Sequence, residues 1–175
     1  MELRKVELSE LDRVMDVYED GRRSLAKLGI DQWQHGRPSR AMLEADIVNG
    51  ELFACIEDGA VLGYVMFSLR GDADYDRLEG SWLSEGDSTN PDYGVVHRLV
   101  ADSRTGRRGV ASFLMGQVEE LARASGVKGV RLDTHPGNIP MRRLLAKLSY
   151  TKCGAFHLVG CPEPVTERYA YEKLV

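Results

Sequence analysis

The sequence predicts a mixed α/β fold in which helices pack on one twisted sheet. Apolar residues alternate with polar ones in several strand-length stretches, while other stretches carry apolar residues at helical spacing. Gly, Asp and Asn separate these stretches. The predicted order of elements is β-α-α-β-β-β-α-β-α-β-β. A chain of 175 residues is expected to form one domain.

The first half of the chain carries two helices and a hairpin. Strands are predicted over residues 3–8, 51–57 and 61–69, and helices over residues 9–29 and 39–47. Ser9 has the residue type of a helix cap. Asp58-Gly59 predicts a tight turn between the second and third strands. Residues 71–91 are polar and rich in Gly, which indicates a functional loop or a segment with a short helix near residues 75–80.

The second half shows the clearer pattern. Strands are predicted over residues 93–102, 127–134, 150–159 and 167–174, and helices over residues 110–125 and from 138 onward. Alternation along the first of these strands places His97 and Leu99 on one face and Arg98 on the other. Arg98 is therefore expected to form a structural ion pair away from His97.

Composition excludes several classes of function. Lys plus Arg number 23 and Asp plus Glu number 27, and this net charge of -4 argues against nucleic-acid binding. The three cysteines are scattered, so neither a disulfide framework nor a metal site is expected. No membrane-length apolar run and no signal-peptide core are present. These features predict a cytoplasmic protein without a membrane partner.

The segment LVADSRTGRRGVAS, residues 99–112, carries the clearest functional pattern. A strand enters a turn rich in Gly and Arg, and a helix starts there. Main-chain N–H groups at a helix N-terminus bind anions, and small residues let a phosphate approach. The segment lacks both the Walker P-loop and the GxGxxG spacing, so another kind of diphosphate site is predicted.

HRLVADSRTGRRGVASFLMGQVEELA, followed by VRLDTHPGNIPMRRLLAKLSYTKCG, resembles the cofactor half of the GNAT superfamily of acetyl-CoA-dependent N-acyltransferases. The match covers residues 96–154 and includes Gly109, Ala111, Asn138 and, approximately, Ser149-Tyr150. It implies a mostly antiparallel sheet of six to seven strands, about four helices and a splayed central pair of strands. Residues 1–91 would supply acceptor-side elements, 92–160 the cofactor-binding core and 161–175 a closing strand.

The resemblance implies that acetyl-CoA is the co-substrate. Its pantetheine arm would pair with the backbone of Leu99, Val100 and Ala101. The Leu99 N–H would stabilise the oxyanion of a tetrahedral intermediate. The residues expected to hold the remainder of the cofactor are Arg107, Arg108, Gly109, Val110, Ala111, Ser112, Asn138 and Met141.

Two positions depart from the family pattern. Gly106 replaces the usual first Arg or Gln of the loop, so Arg107 and Arg108 are expected to carry the side-chain contacts to the diphosphate. Leu145 stands where many members carry a Tyr that protonates the departing thiolate. The usual proton donor is therefore missing from its usual place.

Candidate acceptor-side residues follow from their places in the predicted elements. His97 or His135 would remove a proton from the attacking amine, with solvent as the third option, because imidazole exchanges protons near neutral pH. Asp133 would attract a cationic amine, or would only order the loop before Asn138. Trp33 and Tyr75 are expected to form walls of the acceptor pocket.

The leading hypothesis is an N-acetyltransferase that acts on the primary amine of a small molecule. One alternative is a non-catalytic acyl-CoA-binding sensor, which the missing Tyr at position 145 favours. Another is acetylation of a protein N-terminus or lysine. A homodimer formed through the last strands is an assembly that the resemblance allows.

Overall fold

The computed structural model describes residues 1–106 and 108–175 of the chain. The helices are α1 (Leu11–Lys27), α2 (Arg40–Val48), α3 (Val110–Ser125) and α4 (Ile139–Lys147). The strands are β1 (Glu2–Lys5), β2 (Leu52–Glu57), β3 (Ala60–Ser68), β4 (Glu79–Gly80), β5 (Tyr93–Ala101), β6 (Gly129–Thr134), β7 (Thr151–His157) and β8 (Glu167–Leu174). Short 3-10 turns cover Leu8–Glu10, Tyr75–Arg77 and Ser103–Thr105.

All eight strands form one sheet in the order β1-β2-β3-β5-β6-β8-β7-β4. Every neighbouring pair is antiparallel except β5 and β6, which are parallel and are joined through α3. The predicted fold class, a mixed and mostly antiparallel sheet with four helices, is confirmed. The additional strand is β4, which is two residues long and too short to show an alternating pattern.

The local turn and helix-start signals agree with the sequence analysis at the β2–β3 turn and at the start of α2, but not at Ser9. Asp58 and Gly59 both have positive φ, 51° and 75°, as a tight hairpin turn between β2 and β3 requires. Ser39 caps α2 by accepting a hydrogen bond from the Met42 N–H. Ser9 does not cap α1, because it lies inside the first 3-10 turn, where Glu10 accepts a hydrogen bond from the Glu7 N–H.

The helices cover the two faces of the sheet. One face packs against α3 and α4 through a buried apolar cluster that includes Val96, Leu114 and Leu145. The other face packs against α1 and α2 near β1–β3. Beyond α1 and α2, this second face is covered by the segment 69–92, whose Tyr75 is buried on β5, β7 and β8. Strand β5, at the centre of the sheet, therefore contributes side chains to all three packed regions.

In the part of the chain that the structure describes, no helix combines the length and the apolar character needed to cross a membrane.

Candidate active site

A cleft opens at the point where β5 and β6 separate. Their pairing runs from Tyr93 opposite Gly129 to Val96 opposite Leu132 and stops there. Beyond Val96, β5 continues to Ala101 paired with β3 alone. The cleft has a volume of about 560 Å³ and is bordered by α1, α2, α4, β5 and β6. The predicted splayed pair of strands is therefore present, with a main-chain edge of β5 exposed to the cleft.

A β-bulge bends β5 inside this cleft. Met66 of β3 lies opposite His97 and Tyr64 lies opposite Val100, so Val65 alone faces both Arg98 and Leu99. Arg98 adopts a left-handed conformation with φ of 53°. One extra residue in a strand shifts every following side chain to the opposite face.

The bulge overturns the predicted faces of this strand. His97 stacks near Tyr75, with ring centres 6.1 Å apart, whereas Leu99 packs into the cluster on the α3–α4 side. Arg98 lies on the same side as His97 and pairs with Asp46 of α2. The prediction that His97 and Leu99 share a face is wrong, and the predicted ion pair of Arg98 is present on the unexpected side.

The cofactor half of the cleft consists of the turn before α3. Gly106 and Gly109 have positive φ, 78° and 75°, and a Cβ added at either would meet no atom within 4 Å. The first hydrogen bond of α3 runs from the Phe113 N–H to the Gly109 carbonyl. The N–H groups of Val110, Ala111 and Ser112 precede that bond and point out of the helix end. Such an end is suited to an anion.

Among the described residues of this turn, Arg104 and Arg108 both have carboxylate partners. Arg108 is 52% exposed and its Nη2 lies 2.6 Å from Glu57 Oε2, so its guanidinium already has a carboxylate partner on the β2–β3 hairpin. Arg107 lies outside the described residues. Arg104 is held by Asp102 and Asp16, and the hydrogen bond from Arg104 holds the pKa of Asp102 well below its usual range. Among the described residues of the turn, the main-chain donors at the start of α3 therefore remain available.

Asn138 and Met141 border the cleft at the start of α4. The Asn138 Oδ1 accepts a hydrogen bond from the Met141 N–H at 3.2 Å, and its Nδ2 donates to Gln32 Oε1 at 3.3 Å. Asn138 therefore caps α4 and links it to the segment after α1. Leu145 is completely buried in the core, so its position supplies no proton donor to the cleft.

The acceptor half of the cleft is centred on His97. Its Nε2 lies 2.8 Å from Asp72 Oδ2, and its Nδ1 lies 3.7 Å from Asp133 Oδ1. The other oxygen of Asp72 accepts a hydrogen bond from the Asp74 N–H at 2.8 Å. His97 is 29% exposed, so the ring is both held by carboxylates and open to the cleft. An imidazole in this arrangement can accept and release a proton.

Asp133 is the most deeply placed carboxylate beside His97. Its side chain is 11% exposed, and burial raises its pKa, while the neighbouring His97 and the Arg168 guanidinium oppose that rise. The Tyr75 hydroxyl donates to Asp133 Oδ1 at 3.0 Å. Tyr75 itself is buried beneath Asp133, so the prediction that it forms a pocket wall is wrong; it supports Asp133 from below.

His135 does not face the cleft. It is buried, its Nδ1 accepts a hydrogen bond from the Gly137 N–H at 2.9 Å, and its Nε2 lies 3.2 Å from Asp31 Oδ1. Burial lowers the pKa of this imidazole. The geometry therefore gives His135 a structural place between α4 and the segment after α1, and the expectation that it acts as a general base is not supported.

Trp33 lies in the wall of the cleft, as expected. The Trp33 ring packs on Tyr18 with ring centres 5.5 Å apart. The main-chain N–H of Trp33 donates a hydrogen bond to Glu163 Oε1 at 2.9 Å. Nearby, the Val165 N–H donates to Asp31 Oδ2 at 3.1 Å. These contacts join the segment 29–38 to the segment 158–166 along the border of the cleft.

Sequence reasoning missed two contributors to this half. Asp72 lies in a polar stretch without periodicity, and no local signal pairs it with His97. The buried ion pair between Glu163 and Arg168 joins residues near the end of the chain to Trp33 and Asp133. Only packing brings these segments together. Among residues 1–106 and 108–175, no group of three or more His, Cys, Asp or Glu side chains could hold a metal ion.

The splayed strands, the open N-terminus of α3 and the cleft between them match the architecture of the acyltransferase class that the sequence resembles. The model of the acetyltransferase (GNAT) family matches residues 12–150, and the chain therefore belongs to the GNAT acetyltransferase family. Members of this family bind acetyl-CoA and an acceptor substrate.

Solved structures agree with this assignment. A GNAT family acetyltransferase from Streptococcus agalactiae is 31% identical with a TM-score of 0.86, covering 99% of this chain and 95% of its own. A GNAT family acetyltransferase from Listeria monocytogenes is 20% identical with a TM-score of 0.72 and coverages of 99% and 94%. The PaiA N-acetyltransferase from Thermoplasma acidophilum, solved with coenzyme A, is 16% identical with a TM-score of 0.70 and coverages of 99% and 98%. No curated protein matches the sequence.

Proposed function

We propose that this chain is an N-acetyltransferase that moves an acetyl group from acetyl-CoA to a primary amine of a small molecule. The observation that carries the proposal is the position of His97, held by Asp72 and Asp133 at the point where β5 leaves β6. A proton acceptor therefore lies beside the edge of β5 on which an acetyl donor would bind.

Three features support acetyl-CoA as the donor. The turn from Arg108 to Ser112 ends in main-chain N–H groups suited to a diphosphate. The open edge of β5 at Leu99, Val100 and Ala101 suits the amides of a pantetheine arm. Asn138 and Met141 border the same gap. The neighbour from Thermoplasma acidophilum was crystallised with coenzyme A, which adds support from the shared fold.

The carboxylates beside His97 favour a cationic acceptor and orient the imidazole. Asp72 and Asp133 attract an ammonium ion. With the Nε2 hydrogen donated to Asp72, the basic nitrogen of His97 is Nδ1, which lies toward Asp133 and takes one proton from the ammonium. The Leu99 N–H would stabilise the oxyanion that forms on the acetyl carbonyl.

The acetyl transfer does not require a side chain at position 145 to protonate the departing thiolate. The neutral amine attacks the thioester carbon, a C–N bond forms, and the C–S bond breaks to release the thiolate of CoA. The nitrogen loses its second proton to solvent, and the thiolate takes a proton from solvent. A thiol with a reference pKa of about 8.5 is a good enough leaving group for this route.

The two joined segments at the border of the acceptor half favour a small molecule over an extended protein chain. Hydrogen bonds from Trp33 to Glu163 and from Val165 to Asp31 connect the two segments that border this half. An extended peptide needs a groove open at both ends. A compact amine fits the space that these segments leave.

A panel of primary amines, incubated with acetyl-CoA and assayed for release of the CoA thiol, tests the proposal. We expect thiol release that depends on the amine and an increase in melting temperature with CoA. An increase in melting temperature without thiol release from any amine would favour an acyl-CoA-binding sensor. Acetylation of peptide N-termini or lysines, with no small amine accepted, would favour a protein substrate.

A further inference from the structure

The cleft contains arginines as well as carboxylates, and they differ in what they bind. Arg168 is buried and its guanidinium bonds Glu163 and the carbonyls of Val165 and Glu167. Arg37 is exposed at the mouth and donates to the Gly160 carbonyl at 3.4 Å. Arg98 is also enclosed, and within the described residues its ionic partner is Asp46 alone.

The position of Arg98 depends on the bulge. With regular alternation its side chain would enter the α3–α4 core, but the left-handed conformation, φ 53°, turns it to the side of His97. A non-Gly residue in this region is strained, and such strain clusters at functional sites. The bulge thus brings an imidazole and a guanidinium from consecutive residues to one side of the cleft.

The contacts of Arg98 leave its hydrogen-bonding capacity unused. Its side chain is 15% exposed, and Nη1 lies 3.0 Å from Asp46 Oδ2. These two atoms form an ion pair, so Nη1 already faces a carboxylate. A guanidinium has five N–H donors, and no described residue accepts a hydrogen bond from the Nε or Nη2 of Arg98. The Nε and Nη2 groups are therefore the donors left for a ligand.

A carboxylate is the group that fits these donors, because its two oxygens match the planar guanidinium. The ammonium site at Asp72, His97 and Asp133 lies in the same cleft as Arg98, the next residue after His97, so one small ligand that carries both charges can contact both groups. Apolar side chains of Leu25, Trp33 and Met42 line the remainder of this end. Such a site has a cationic end, an anionic end and an apolar wall.

We infer, on the basis of the proposed acetyl transfer, that the acceptor is an α-amino acid with an apolar side chain and that Arg98 binds its carboxylate. In this arrangement Asp46 holds the guanidinium from behind, while its remaining donors face the substrate. Arg98 is then the residue that determines specificity for an acid-bearing amine.

Matched pairs of substrates test this inference. Phenylalanine with phenethylamine, and leucine with isoamylamine, differ within each pair only by the carboxylate. We expect the wild-type kcat/KM to favour the amino acid by about 10²-fold, since a site built to bind a polar group rejects the analogue that lacks it. Arg98→Met should abolish this preference, so its loss in kcat/KM should be about 10²-fold larger for the amino acid than for the decarboxylated amine.

Two further variants keep the test interpretable. Arg98→Lys retains the charge without the planar fork and should keep only part of the preference. Arg4→Met, which removes an arginine–glutamate pair on β1, is the control for loss of an ion pair outside the cleft. Melting temperatures establish that all variants fold.

Binding measured by calorimetry with CoA-saturated protein separates this inference from the proposed function, because it needs no turnover. Loss of amino-acid binding in Arg98→Met alone supports the inference even where no acetylation is found. Equal losses for the amino acid and its amine, or a wild-type preference for the amine, would overturn it. In that case Arg98 serves only as the counter-ion of Asp46.

Discussion

The two halves of the cleft are built from different material. The cofactor half consists of main chain from one stretch, the open edge of β5 and the turn before α3. The acceptor half consists of side chains from distant segments, with Asp72, His97, Asp133 and Glu163 drawn together by packing. Main-chain sites follow from local sequence patterns, whereas side-chain sites depend on the complete fold. The first half suits a cosubstrate shared by a family and the second suits an individual acceptor.

The largest expected effect lies in the acceptor half. His97→Gln removes the proton acceptor and should lower kcat/KM by about 10²–10⁴-fold. The increase in melting temperature with CoA should stay at the wild-type value, because the cofactor half is unchanged. His135→Gln is the matched control and should retain activity. Full activity in His97→Gln, with loss in His135→Gln, would reverse the two assignments.

The next effect concerns the cofactor half. Gly109→Val places a branched side chain at φ 75° and fills the open space before α3, so CoA should no longer raise the melting temperature. Gly116→Ala, inside the same helix, should keep the response to CoA and stabilise the protein by about 0.5–1 kcal/mol. Wild-type CoA affinity in Gly109→Val would refute the assignment of this turn.

A smaller effect is expected from the ion pair beside the turn. Arg108→Ala should weaken CoA binding by about tenfold or less, because an exposed guanidinium contributes modestly. Glu57→Gln frees Arg108 from its partner and should tighten CoA binding at low salt, with the gain disappearing at high salt. Pantetheine, which lacks the diphosphate, should bind all these proteins equally. A loss of pantetheine affinity in Arg108→Ala would show that the arginine acts elsewhere.

The smallest effect is on stability. Burial raises the pKa of Asp133, so the folded state loses stability as pH rises through that raised value, whereas the unfolded carboxyl ionises near its ordinary pKa. Asp133→Asn avoids this loss. Its melting temperature relative to wild type should therefore increase between pH 4 and pH 8, while its activity falls. A difference that stays constant with pH would contradict the raised pKa.

Local signals predicted most of the frame. The Asp58-Gly59 turn and the starts of the helices near Ser39, Gly109 and Asn138 depend on conformations that a few neighbouring residues determine. The GNAT motif then placed the splayed strands. These features are encoded over short distances along the chain.

The acceptor half could not be predicted in the same way. The bulge at Arg98 depends on the register between β3 and β5, and alternation therefore misplaced every side chain after His97. Asp72 reaches His97 from a polar segment without periodicity. The burial of Tyr75 and His135 follows from segments that pack over them. Each of these facts depends on contacts between residues far apart in sequence.

The central claim is that Asp72 acts through His97, and a double-mutant cycle on kcat/KM tests it most directly. Asp72→Asn alone should lower kcat/KM by about 10-fold to 10²-fold, because it removes the carboxylate that holds the His97 ring. In the His97→Gln background the same change should have no further effect. Losses that multiply in the double variant would contradict the account, because Asp72 would then act independently of His97.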